Sequence, residues 1–359
     1  MLVESPPEPE QSTATAVAPA VVAPAAVARP RHGARAAGLP VAVAVLALIA
    51  LASIAVGARQ MPLDQVWHGL FGSTGTPSDV VVRDLRVPRT LLGLMVGLGL
   101  GLSGAVMQAL TRNPLAEPGI LGVNAGAAAA VVSAISFLGA SSLSEFVWWA
   151  FLGAAVVSVL VYVLGGSRGA TPVRLALAGT AAGAALVGYI NAVQLMDSTA
   201  LDKLRFWTVG SLASATMDTV QQVAPFLLVG AVLALSLGRP LNAMALGDDA
   251  ARALGVRLTR TRIAAMAAIT LLCGAATAAC GPIVFVGLMV PHLVRAFTGP
   301  DMRWVLAYSA LLSPALLLGA DVIGRVVTRP AELQVGIVTA LLGGPVFIHL
   351  VRRRRMAQL

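Results

Sequence analysis

Charge is scarce in this 359-residue chain. Asp, Glu, Lys and Arg make up only 11% of it, while 57% is hydrophobic. A soluble globular domain carries about 25% charged residues, so the balance points to a polytopic membrane protein and away from a soluble enzyme. Lysine occurs once, as Lys203 in Ala-Leu-Asp-Lys-Leu-Arg, with no glycines around it to cradle a phosphate. The chain therefore has no ordinary P-loop and is expected to hydrolyse no ATP itself. Its four histidines, His32, His68, His292 and His349, are scattered, without the His/Cys spacing of a zinc site. A Gly-x-Ser-x-Gly elbow with a His and Asp partner is absent too, so no resident metal and no hydrolase chemistry are expected. The two cysteines, Cys273 and Cys280, fall in one apolar segment. Their spacing is about 10.5 Å of helical rise, beyond disulfide reach, and they read as packing residues.

Ionisable residues within apolar segments are also few. Asp321 and Arg325 stand four apart on one helical face and read as a local ion pair. A proton- or sodium-coupled carrier needs more mid-membrane charge than this. The formal net charge of +9 is explained by topology, not by nucleic acid, because arginines collect at the ends of apolar segments.

What the chain does have is apolar length. A spanning helix needs about 20 mostly apolar residues, and ten candidates run near 39–58, 89–110, 119–139, 146–164, 173–196, 220–238, 261–279, 281–297, 303–326 and 335–351. Gly281-Pro282 breaks the seventh from the eighth. Residues 1–38, rich in Pro and Ala, read as a disordered cytoplasmic tail, 39–352 as the membrane domain and 353–359 as a basic cytoplasmic end. With the N-terminus inside, 17 of the 25 Lys and Arg lie on the cytoplasmic side, including Arg29, Arg31, Arg35, Arg168 and Arg352 to Arg355. That satisfies the positive-inside rule. The second span carries small residues every fourth position (Gly93, Gly97, Gly101, Ala105, Ala109), and the third repeats the theme with Gly122, Gly126 and Ala130. Both are read as close helix packing.

Three inner segments are polar and patterned. One is Asn113-Pro114-Leu115-Ala116-Glu117-Pro118, a rigid turn that Asn113 can cap. The second, Leu246-Gly247-Asp248-Asp249-Ala250-Ala251-Arg252-Ala253-Leu254-Gly255, reads as a short amphipathic helix ended by Gly255. The third is Gly287-Leu288-Met289-Val290-Pro291-His292. Together with Arg86-Val87-Pro88-Arg89 and Pro330-Ala331-Glu332-Leu333-Gln334-Val335-Gly336, these motifs resemble the FecCD family of ABC permeases over about residues 60–352. Gln334 departs from the proline usual there.

The resemblance implies an all-α, ten-helix type II importer permease in a bacterial cytoplasmic membrane, without cofactor. Its expected partners are ABC ATPase subunits that bind the ATP, an extracytoplasmic substrate-binding protein and a second permease. Its expected cargo is a ferric siderophore, with haem or cobalamin as alternatives, and an ATPase-independent carrier is the rival of another class. It further implies roles for particular residues. Leu246, Gly247, Asp248, Asp249, Arg252, Leu254 and Gly255 would form the coupling helix against an ATPase. Arg86, Arg89 and Arg325, at the outer ends of spans, would receive acidic groups of the binding protein. Met107, Asn191, Gln194 and Met196 would line the translocation path.

Overall fold

The computed structural model describes residues 32–72, 75–166 and 172–353, and these hold helices and connecting segments with no strand among them. The expected tail up to residue 31, Arg168, and Arg354 and Arg355 lie outside the described residues. In chain order the helices are α1 (His32–Ala55), α2 (Leu63–Phe71), α3 (Pro77–Val80), α4 (Val87–Thr111), α5 (Val123–Leu138), α6 (Leu143–Leu164), α7 (Pro172–Met196), α8 (Ser198–Trp207), α9 (Met217–Ser236), α10 (Gly238–Ala245), α11 (Asp248–Ala253), α12 (Leu258–Cys280), α13 (Val286–Thr298), α14 (Met302–Val327) and α15 (Val335–Arg353). The first span begins at His32, seven residues ahead of the expected Leu39. There the hydroxyl of Tyr308, on α14, donates to the Arg35 carbonyl.

Seven described stretches are long and apolar enough to cross a membrane: Arg35–Ala55, Pro77–Thr111, Ser144–Leu164, Val173–Met196, Met217–Ser236, Leu258–Cys280 and Met302–Val327. The third, eighth and tenth expected spans appear as shorter apolar helices, Val123–Leu138, Val286–Thr298 and Val335–Ile348. The 13 residues of α13 rise only about 20 Å, against a hydrocarbon core of about 30 Å. The remaining depth is crossed by irregular backbone between α12 and α13, at the Gly281-Pro282 break. Such backbone is tolerated at depth only inside protein, and here Gly281 and Ile283 are buried. Ser211 N–H donates to the Cys280 carbonyl and Gly336 N–H to the Gly210 carbonyl, so one outer loop binds the end of α12 to the start of α15.

Helix α4 is buried along most of its length and packs against α14, α12, α13 and α9. Its small residues set that closeness. Gly93, Gly97 and Gly101 face Leu318, Pro314 and Ser313 of α14, while Gly104 lies against the backbone carbonyl of Gly287 on α13. On α5, Gly122 and Gly126 face Val157 and Gly153 of α6. Both ridges thus serve packing, as the spacing predicts. The helix entering α4 is continuous from Pro77 but widens to a π-helical turn at Val81–Arg86, where Val87 N–H reaches the Val82 carbonyl. Pro88, next along, has no N–H to give to the Asp84 carbonyl, which accounts for the slip in the ladder.

A methyl group at position 97 would overlap the Pro314 backbone, whereas one at Gly183 of α7 meets nothing. Gly97→Ala should therefore destabilise by about 1–3 kcal/mol, and Gly183→Ala should be neutral or mildly stabilising. Thermal unfolding of the two variants side by side in detergent checks this; equal midpoints would refute the close α4–α14 contact.

Candidate functional site

The outer ends of α1, α4 and α14 meet at a buried cluster of charge. Asp321 of α14 is wholly buried; it accepts hydrogen bonds from Arg89 Nη2 at 2.8 Å and Arg89 Nε at 3.0 Å and forms an ion pair with Arg325 Nη2 at 2.9 Å. Arg89 Nη1 also donates to Glu332 at 2.7 Å. Arg325 Nη1 donates to the carbonyls of Ser53 and Val56, each at 2.9 Å, and its Nη2 to Ser53 Oγ. Arg86 donates to the carbonyls of Ile54, Ala55 and Arg59. Arg329 adds a bond to the Gly57 carbonyl. The last turn of α1 leaves carbonyls without helical partners, and its dipole is negative at that end. Three guanidinium groups from elsewhere in the chain supply the donors and the opposite charge.

Arg86, Arg89 and Arg325, which the resemblance casts as receivers of acidic groups of the binding protein, do not stand open at the outer surface. All three are buried, and their donors are committed inside the chain. The reason is local: the end of α1 and the Asp321 carboxylate need those donors more than a rim open to water does. The exposed cations at the outer side are Arg59, Arg83, Arg329 and, on α8, Arg205. The Asp321–Arg325 ion pair is present as the spacing predicts, with Arg89 as an additional partner. Glu332 lies in a noted motif, but its pairing across 243 positions carried no local signal.

The inner end is organised around Asp248, at the first turn of α11. It receives Arg112 at 2.5 Å and Arg262 at 2.7 Å, so the short helix is tied to the end of α4 and the start of α12. Burial pushes the Asp248 carboxyl up, but the two arginines outweigh that and hold it below the ordinary carboxylate range. Asp248 is thus spent internally and is not the free interface contact expected of it. Asp249 and Arg252 pair with each other at 2.7 Å on the exposed side. Leu246, at the end of α10, and Leu254, just past α11, are 68% and 64% exposed, and Ala250 of α11 is exposed too, so apolar groups stand uncovered on both sides of Gly247. Gly247 (φ 105°) opens the helix. Gly255 (φ 81°) closes it, its N–H reaching Arg252 and that of Val256 reaching Ala251. This is a Schellman end, which requires the left-handed residue that glycine supplies.

A second brace lies beside it. Asn242 of α10 donates to Asp301 at 2.7 Å and accepts from Met302 N–H at 2.8 Å, joining the coupling region to the start of α14. Bonds from Arg303 lead the causes that hold the Asp301 carboxyl down at about 2.

Also on the inner side, Asn113 caps its turn as expected, its Oδ1 accepting from Leu115 N–H at 2.9 Å. Pro114 is half-buried and Pro118 is buried at the first turn of a 3-10 helix, Pro118–Leu121. The Glu117 carboxylate lies near the backbone N–H of Phe285, which has φ 69°. A left-handed conformation is unusual for a bulky residue and needs outside support. Pro291 interrupts the hydrogen-bond ladder of α13 by withholding a donor from the Gly287 carbonyl. Gln108 of α4 reaches in, its Nε2 lying 3.5 Å from that carbonyl and 3.0 Å from Leu288 O, while Arg295 donates to its Oε1. Gln108 was missed from sequence, although the donor that Pro291 removes is a signal that one was needed. His292 is half-buried beside it.

Of the expected path residues, Met107 has 0% exposure and sits in the core, so it lines nothing. It lies on the side of α4 enclosed by neighbouring helices. Asn191 and Met196 are exposed and Gln194 is half-buried on α7, which is among the least buried spans. Among the described residues no group of His, Cys, Asp and Glu could hold a metal ion.

A family model described as the FecCD transport family matches residues 45–353. The ferric enterobactin transport system permease protein FepD of Escherichia coli (strain K12) is 46% identical over 322 residues, covering 89% of this chain and 96% of that one. The hemin transport system permease protein HmuU of Yersinia pestis is 37% identical, covering 87% and 94%. Among solved structures, an inward-facing transporter assigned to the metal-chelate ABC type superposes with a TM-score of 0.78 at 28% identity, covering 88% of this chain and 99% of that one.

Removing the buried carboxylate leaves two guanidinium groups facing each other without a counter-charge. Asp321→Ala should cost about 3–5 kcal/mol, read as a lower unfolding midpoint in detergent. Arg329→Ala, at the exposed margin, should cost under about 1 kcal/mol. Comparable losses for the two would remove Asp321 from its central place.

Proposed function

This chain belongs to the FecCD transport family, and from that premise we propose that it is the membrane-spanning permease subunit of an ABC importer carrying a ferric siderophore across the cytoplasmic membrane. The observation that carries the mechanism is the exposed apolar group of Leu246, Ala250 and Leu254 on and beside a short inner helix, with α11 tied to α4 and α12 and the preceding α10 tied to α14. An exposed apolar patch flanked by charge suits a protein partner, and an ATPase subunit is the partner that a chain lacking its own P-loop requires. ATP binding and hydrolysis belong to that partner; no chemistry occurs on the cargo here.

Motion at α11 reaches the spans by two routes. One runs through Asp248 to α4 and α12, by way of Arg112 and Arg262. The other runs through α10 and Asn242 to α14. The cargo's path lies between this chain and a second permease, along the exposed side of α7 where Asn191, Gln194 and Met196 stand. A loaded binding protein docks at the outer end, where Arg59, Arg83, Arg205 and Arg329 are accessible cations. The high identity to an enterobactin permease supports a siderophore cargo over haem.

Uptake of labelled ferric siderophore, haem and cobalamin in cells lacking and regaining this chain tests the reading. Loss and rescue of siderophore uptake alone is the expected result. Leu254→Glu, which places charge on the apolar face without touching the brace, should abolish uptake while the protein stays in the membrane at normal levels. Uptake that persists in Leu254→Glu would sink the coupling assignment, and haem uptake lost in place of siderophore uptake would change the cargo.

A further inference from the structure

Helix α2 takes no part in the transport reading, yet it is held with care. Its Val66 and Gly69 are buried, and Gly69 packs against Val82. Ser78 Oγ donates to Gln65 Oε1 at 3.2 Å, and His68 Nδ1 lies 3.3 Å from Asp79 Oδ1. Arg83 closes the end of the helix, its Nε donating to the Gly69 carbonyl at 2.7 Å and its Nη2 to that of Gly72 at 2.5 Å. Those are carbonyls that a helix C-terminus leaves without partners. With the polar tethers and the small residues turned inward, Leu63, Trp67 and Phe71 are turned outward. They are 73%, 67% and 70% exposed. Spaced four apart, they share one face, and the Trp67 and Phe71 ring centroids are 4.5 Å apart. Three large apolar side chains fixed outward on nine residues do not make a solvated surface.

Two observations say what covers them. The first is height. The continuous helix Pro77–Thr111 ends at the inner side, where Arg112 meets Asp248. From Thr111 back to Val82 the rise is about 43 Å. A bilayer spans about 40–45 Å including its headgroups, so Val82 and the α2 residues packed on it lie at the outer headgroup level. The second is continuity. Helix α1, which leads into α2, is among the least buried spans and exposes Val41, Val45, Leu48 and Leu51 along its length. The stripe on α2 thus follows directly on a span whose apolar side chains are exposed within this chain. A tryptophan beside apolar residues on an amphipathic helix is the composition of the membrane–water boundary.

We propose that α2 is an interfacial helix that inserts Leu63, Trp67 and Phe71 into the outer leaflet, between headgroups and acyl chains, and so takes the lipid surface as its partner. The inference rests on the membrane-spanning architecture and not on the identity of the cargo, so a wrong cargo leaves it standing. The test uses the full chain with its partner subunits in lipid nanodiscs. Nitroxide labels are placed by Leu63→Cys, Trp67→Cys and Phe71→Cys, with Asp64→Cys as the water-facing control; the native cysteines are buried. Collisions with oxygen should exceed those with a water-soluble nickel chelate severalfold at 63, 67 and 71, and the order should reverse at 64. Nickel access at all three equal to that at 64 would overturn the proposal. So would shielding that appears only when an extracytoplasmic protein is added, which would assign the stripe to that protein. Should the labelled variants fail to fold, the native protein and Trp67→Phe are compared in lipids brominated high on the acyl chain. Greater quenching in the native protein is expected, and equal fractional quenching would refute insertion.

Discussion

Asp321 lies wholly buried between Arg89 and Arg325, and the outer half of the bundle is arranged around that carboxylate. A buried charge is costly unless it is paired and hydrogen-bonded. Here every participant finds a partner: Arg89 reaches Glu332, and Arg325 reaches the open end of α1. A helix end and a carboxylate that would each be costly alone satisfy one another through shared guanidinium groups. The cluster fixes where α1, α4, α14 and the approach to α15 stand relative to each other. Such a network specifies an arrangement more than it adds net stability, because desolvation offsets much of the attraction.

The same two helices carry a second set of charged anchors at their inner ends. Arg112, closing α4, meets Asp248, and Asp301, opening α14, meets Asn242. Between their ends, α4 and α14 touch along Gly93, Gly97 and Gly101. Close backbone approach leaves little room for sliding by parts, so the pair behaves as one stiff element pinned at both faces of the membrane. A short inner helix bound to one end of that element is well placed to move it. The break between α12 and α13 is the less regular counterpart, with Gln108 reaching the carbonyl that Pro291 leaves without a donor.

Much of this was legible in residue order. The ten apolar segments, the Gly281-Pro282 break, the Asn113 cap, the Gly255 helix end and the Asp321–Arg325 pair depend on neighbours within a few positions, and each stands where local chemistry puts it. The small-residue ridges were likewise read correctly as packing, since their period alone places them on one face. The family followed from motifs whose order and spacing survive in one dimension.

Other assignments failed for a common reason. Arg86, Arg89 and Arg325 were named as docking residues through the resemblance, but their partners lie up to 272 positions away and enclose them. Met107 read as a wall of the path because its helix faces that way in part, yet its own side points into the core. Asp248 read as an interface charge, and is consumed by Arg112 and Arg262. The sequence by itself determined which segments are helical, where they end and to which family the chain belongs, because periodicity, capping and motif spacing are local. Only the tertiary structure decided which charges are free and which side chains line a surface, because burial depends on what the rest of the chain brings alongside.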